Sequence, residues 1–97
     1  MRIFETNDFI SSIQKVLSSQ QRKQFQKKKD ALKPTYGRPL GTSWFRELKL
    51  GSKRAYFVCN ESVAIFIAAS NKKSQQEVID QIRSNMKVFT DLLNYLT

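Results

Sequence analysis

Hydrophobic and polar positions recur with two different periods along this chain, and the change of period divides it into three parts. Between residues 44 and 69 the period is two. WFRELKL alternates: Trp44, Arg46, Leu48 and Leu50 fall on one side and Phe45, Glu47 and Lys49 on the other, because successive strand side chains face opposite sides of a sheet. Gly51-Ser52-Lys53 reads as a turn. In RAYFVCN, Ala55, Phe57 and Cys59 then share a face opposite Arg54, Tyr56 and Val58. Asn60-Glu61-Ser62 is a second turn signal, and residues 63–69 contain no polar residue. A run apolar on both faces belongs in the centre of a sheet or under a covering layer. The pattern predicts a three-stranded antiparallel meander. One face packs on helices; the other is partly covered and carries Glu47, Lys49 and Arg54.

The flanks follow the helical period. Residues 2–5 are a short strand candidate that would pair with the central sheet, and Thr6-Asn7-Asp8 is helix-start chemistry. Phe9, Ile13, Val16 and Leu17 make the apolar stripe of a first helix ending near Ser18-Ser19. A second, weaker helical pattern covers residues 20–33, with Phe25, Leu32 and Ala31 inward and Arg22, Lys23, Lys27, Lys28 and Lys29 around them. Pro34 ends it, and residues 34–43, with two prolines and two glycines, read as a loop whose candidate contact residues are Tyr36 and Arg38. Ser74 with Glu77 reads as a capping box. A final helix of about 30 Å then runs to about Leu96 on the stripe Val78, Ile82, Met86, Phe89, Leu93 and Leu96. Its C-terminal half is a candidate interface for a partner or a second copy. The fold class is thus α+β in a single domain, residues 1–97: a small antiparallel sheet, two N-terminal helices and one long C-terminal helix.

Charge sharpens this outline. The chain carries 17 Lys and Arg against 8 Asp and Glu, a net charge of +9 and a pI near 10.0, which favours a polyanionic partner. The excess is uneven: seven cations against three anions over residues 1–30, six against one over 31–54, and four against four over 55–97. There is no histidine, which removes imidazole acid–base chemistry and His-ligated metals, and no cofactor is implied. The single cysteine, Cys59, excludes an internal disulfide and fits a reduced, cytoplasmic setting. No apolar run is long enough to span a membrane, and the first residues do not read as a signal peptide.

Three groups of residues carry candidate chemistry. Lys72 and Lys73 precede a helix N-terminus, where free backbone donors attract phosphate. Arg54, with Arg46 or Lys49, would add a cationic concavity at one end of the sheet. Lys27 and Lys28 belong to a run that is either a solvated helix face or a face that tracks phosphates.

The order strand, two helices, three-stranded meander and final helix resembles the RelE/ParE superfamily of bacterial toxin–antitoxin toxins. GRPLGTSWFRELKLGSKRAYFV is similar to a pattern of that superfamily, carried here by Gly37, Leu40, Glu47, Leu48, Lys49, Arg54 and Phe57. FIAASNKKSQQEVIDQI resembles the strand-to-helix segment of RelE and HigB toxins. The resemblance implies a small toxin that cuts mRNA in the ribosomal A site without metal and is inhibited by a cognate antitoxin. ParE-like members act instead on DNA gyrase. It places Arg54 on the phosphate-stabilising arginine, Lys73 on a second basic catalytic position and Lys72 beside it. Glu47 becomes the candidate general base toward a ribose 2′-hydroxyl; the plainer reading is a salt bridge. The paired strand lysines of RelE fall on Phe45 and Glu47, with Arg46 or Lys49 as substitutes, and its last-helix tyrosine falls on Ile79. Three readings therefore stand: a ribosome-dependent mRNA endonuclease, a gyrase inhibitor or inactive relative, and a non-enzymatic RNA-binding module. The last follows from the logic of a three-stranded sheet leading into a helix that opens with Lys72-Lys73.

Overall fold

A computed structural model describes residues 1–97. Its elements in chain order are β1 (Arg2–Glu5), α1 (Asn7–Val16), α2 (Ser19–Asp30), β2 (Arg38–Thr42), β3 (Phe45–Leu50), β4 (Lys53–Cys59), β5 (Val63–Asn71), α3 (Gln75–Ser84) and α4 (Met86–Leu96). The strands form one sheet in the order β1-β5-β4-β3-β2. The meander β3-β4-β5 is antiparallel, as the alternation predicts. The sheet as a whole is mixed, because β1 runs parallel to β5 at the far edge.

The sheet is covered on both faces. On one, α1 and α2 bury Phe9, Leu17, Phe25 and Leu32 against Leu48, Leu50, Ala55, Phe57, Cys59 and Phe66. Here Phe25 and Phe66 meet edge to face at 4.9 Å, and Phe9 and Phe57 stand 5.3 and 5.0 Å from Phe66. Each such aromatic pair adds about 0.5–1.5 kcal/mol beyond its buried area. On the other face α3 and α4 cover Phe45, Tyr56, Val58, Val63, Ile65 and Ile67 with Ile79, Ile82 and Leu93. The strand parities are those of the sequence pattern, apart from Trp44, which precedes β3 and packs with Phe45 instead of Leu48. An irregularity where Tyr56 pairs with Ala68 and Phe57 with Phe66 leaves Ile67 as the extra residue of β5.

Four expectations need correction. The segment 34–43 is not all loop: Arg38–Thr42 adds an edge strand, blunted by Pro39 and by a register shift before Thr42. Ala31 is exposed at the end of α2 instead of facing inward. The Ser74–Glu77 capping box does not form; the Ser74 hydroxyl donates instead to Asn71 Oδ1 at 3.0 Å. The C-terminal helix is two helices, not one. At the break, Ser84 Oγ donates to the carbonyl of Asp80 and Asn85 Nδ2 to that of Gln81, so two short polar side chains compete for helix carbonyls. The bend lets α4 close over the sheet, with Leu93 buried and Met86, Phe89, Leu92 and Leu96 packed beneath it. The stripe offered as an interface is therefore largely used within the domain, and Val88 and Tyr95 are the large apolar side chains that α4 leaves exposed. No helix is long and apolar enough to cross a membrane.

Candidate active site

β2 pairs with β3 only as far as Arg38 opposite Glu47, so the last residues of β3 pair with β4 but have no strand on their other side. A cavity of about 760 Å³ opens along this unpaired edge. Its wall combines Lys27 and Lys28 of α2, Ala31 just after it, the segment Thr35-Tyr36-Gly37-Arg38, and Glu47, Leu48, Lys49 and Arg54 of the sheet. Six of the nine residues singled out from the sequence thus meet at one place, and five of these are cations. Lys49 and Arg54 are directly opposite each other in the β3–β4 register. Like charges in that position oppose folding, and a bound polyanion would offset the repulsion.

Glu47 is the lone anion of the cavity wall and is 3% exposed. Its Oε1 stands 3.8 Å from Arg38 Nε and 3.9 Å from Arg54 Nε, and its Oε2 accepts from Gln75 Nε2 at 3.4 Å. These separations are those of ion pairs and long hydrogen bonds. The carboxylate is charge-compensated and, at 4% side-chain exposure, meets the cavity through a small part of its surface. The two arginines differ in freedom. Arg54, whose side chain is 17% exposed, is fixed through Nη1 to the carbonyls of Gly51 and Lys53. Arg38, 75% exposed, is held by nothing but the ion pair. Behind Glu47 across the β3–β4 pair is Tyr56, whose hydroxyl is 2.7 Å from Ser70 Oγ. Burial pushes the Tyr56 phenol above its usual range, and the Glu47 charge adds to this. The Ser70 hydrogen bond and Arg54 oppose it. Tyr56 is thus a neutral strut beneath the carboxylate at physiological pH.

The other three predicted residues lie elsewhere. Arg46 is 9% exposed and belongs to the interior. Its Nε donates to the Tyr36 carbonyl at 2.8 Å, Nη1 to that of Ser43, and Nη2 to those of Thr35 and Gly37. It organises the segment bordering the cavity and is unavailable to a ligand there. Lys72 and Lys73 are exposed on the turn after β5, outside the cavity wall. Because Asn71 pairs with Lys53 and Ser70 with Arg54, that turn is at the same end of the sheet as the cavity.

Gln75 was missed in the sequence, and Gly37 was named there only as part of the family pattern. Gln75 opens α3 and reaches Glu47, a contact between positions 28 residues apart that no local pattern reveals. Gly37 has φ +80°, and a Cβ there would lie 2.5 Å from the Glu47 carbonyl oxygen, so only glycine lets β2 start this close to β3. Cys59 is a buried core thiol whose pKa is pushed up by burial, an effect that Arg46 partly offsets. No three Asp, Glu, Cys or His side chains converge as a metal-binding group. Comparison with protein-family models and with curated proteins finds no match to this chain.

Proposed function

We propose that this chain is the toxin of a bacterial toxin–antitoxin pair of RelE/ParE type, and that it cuts mRNA in the ribosome by metal-independent transesterification. The observation that supports this best is the cavity at the β3 edge, whose wall carries five cations and one buried carboxylate. In this reading a backbone phosphate lies against Arg54 and Lys49. Glu47 takes the proton of the neighbouring ribose 2′-hydroxyl; that oxygen bonds to phosphorus and the bond from phosphorus to the 5′-oxygen breaks. The products are a 2′,3′-cyclic phosphate and a 5′-hydroxyl end, the departing oxygen taking its proton from the Lys49 ammonium. Arg54, already fixed to the turn carbonyls, is preorganised toward charge that develops on the phosphoryl oxygens. Arg38 is free to follow the strand, and Lys27, Lys28, Lys72 and Lys73 extend the positive field along it. Cytoplasmic ribosomes supply the substrate, and an acidic segment of the antitoxin would silence the cleft by occupying it.

The test is induction in bacteria lacking the antitoxin, with pulse-labelling of protein and DNA synthesis. Protein synthesis should fall first, with new transcript ends in cells making the native chain and none with Arg54→Ala or Glu47→Gln. DNA synthesis falling first points to gyrase and overturns the nuclease reading. Neither falling leaves a binding protein without this activity.

A further inference from the structure

Tyr36 has no part in the phosphate chemistry above, yet its setting is unusual. It is 40% exposed, one of the few large apolar side chains left in that state, and it forms part of the cavity wall with Arg38, Lys49 and Arg54. Its backbone is held firmly. The Tyr36 carbonyl accepts from buried Arg46, as do those of Thr35 and Gly37 on either side, and the Tyr36 N–H donates to the Lys33 carbonyl at 2.9 Å. Lys33 Nζ lies 5.9 Å from the ring centroid, over one face. An exposed aromatic adds little to the core. Here one is presented from a rigid segment, beside cations, at the mouth of an anion-attracting cleft.

We infer that Tyr36 is a stacking platform for a nucleobase of a single-stranded RNA whose backbone runs along the Lys49–Arg54 wall. This inference rests on the RNA reading of the cleft and adds to it a base subsite. Stacking suits a single strand because every unpaired base offers a π face. It also fits an open cleft, where hydrogen-bond readout has few fixed partners. The cationic wall provides affinity dependent on salt; the ring provides affinity dependent on a base being present.

The experiment measures binding of the full chain to a short 2′-O-methylated oligoribonucleotide, which cannot be cleaved, and to the same strand with one abasic nucleotide at each position in turn. The native chain should bind the intact strand about tenfold more tightly than the strand abasic at one particular position. Tyr36→Ala should lose that discrimination, Tyr36→Phe should keep it, and the salt slope should be the same in all three. Melting temperatures check that the variants are folded. Equal weakening of intact and abasic strands by Tyr36→Ala overturns the inference, as does a native chain indifferent to every abasic position; the RNA reading survives both results. Failure to bind either strand overturns the platform, and the ribosomal nuclease reading is then judged by the induction experiment alone. Tighter binding of a poly-glutamate peptide than of RNA, lost in Tyr36→Ala, assigns the ring to a protein partner and overturns it.

Discussion

Arg46 and Arg54 sit on adjacent strands of the same sheet, and the fold uses them in opposite ways. Arg46 lies on the α1–α2 side of β3 and supplies its guanidinium to four backbone carbonyls of the chain. Arg54 lies where β2 has stopped; beyond two turn carbonyls it meets the Glu47 carboxylate at 3.9 Å and forms part of the cavity wall. A saturated guanidinium stabilises structure, whereas one facing an open cavity with unsaturated neighbours is available for chemistry. The sequence offered both as phosphate ligands. The difference lies in what surrounds each of them.

The sharpest way to separate the two regions is to remove each arginine. On the nuclease reading proposed above, Arg54→Ala should reduce cleavage by about 10²–10³-fold, the scale of losing one preorganised transition-state donor, and shift the melting temperature by only a few degrees. Arg46→Ala should do the reverse. Leaving the loop carbonyls without their charged donor costs about 3 kcal/mol, which lowers the melting temperature by roughly 12–24 °C in a domain of this size. If Arg46→Ala melts like the native chain, the division between the regions fails.

Glu47→Gln sharpens the cleft side further. It should lower cleavage by about 10²–10⁴-fold, as for loss of a general base. It should also strengthen binding of uncleavable RNA several-fold, because the lone anion among five cations is gone. Weakened binding would mean that Glu47 chiefly holds the arginines in place. A smaller effect is expected at Lys72 and Lys73. Replacing either with Ala should reduce the slope of log affinity against log salt by about 0.7 for each phosphate of a single strand that is no longer neutralised. An unchanged slope would confine the RNA path to the β3 edge. The smallest effect concerns Tyr56. With its pKa raised above the ordinary 10.0 by burial, its contribution to stability is fully present below about pH 10 and declines as pH rises through the higher folded value. Tyr56→Phe should flatten that alkaline decline in a series of pH-dependent melts.

Much of the architecture was legible because short-range periodicity reports which side of an element is buried. Leu48 with Leu50, and Ala55 with Phe57 and Cys59, occupy the shared face their alternation implied. The Phe9–Ile13–Val16 stripe packs where its spacing places it. β2 was hidden because Pro39 and Gly41 are turn-like residues, and an edge strand makes hydrogen bonds on one side only. The break at Asn85 was hidden because the apolar stripe continues in phase across it, while the competing bonds of Ser84 and Asn85 come from polar positions outside the stripe.

The sequence alone determined the alternating meander, the helical flanks, the positive balance with its excess in the first half, and a shortlist of nine: Lys27, Lys28, Arg38, Glu47, Lys49 and Arg54, together with Arg46, Lys72 and Lys73. These are properties of neighbouring residues or of simple sums. Only the tertiary structure decided that the first six share one cavity, that Arg46 is withdrawn from it into a web of carbonyls, and that Lys72 and Lys73 stay outside. The physical reason is that a cavity is made where pairing stops. Where β2 leaves β3 depends on a glycine at positive φ against the Glu47 carbonyl and on a buried guanidinium ten residues away from the loop it ties, long-range contacts that leave no period in the chain.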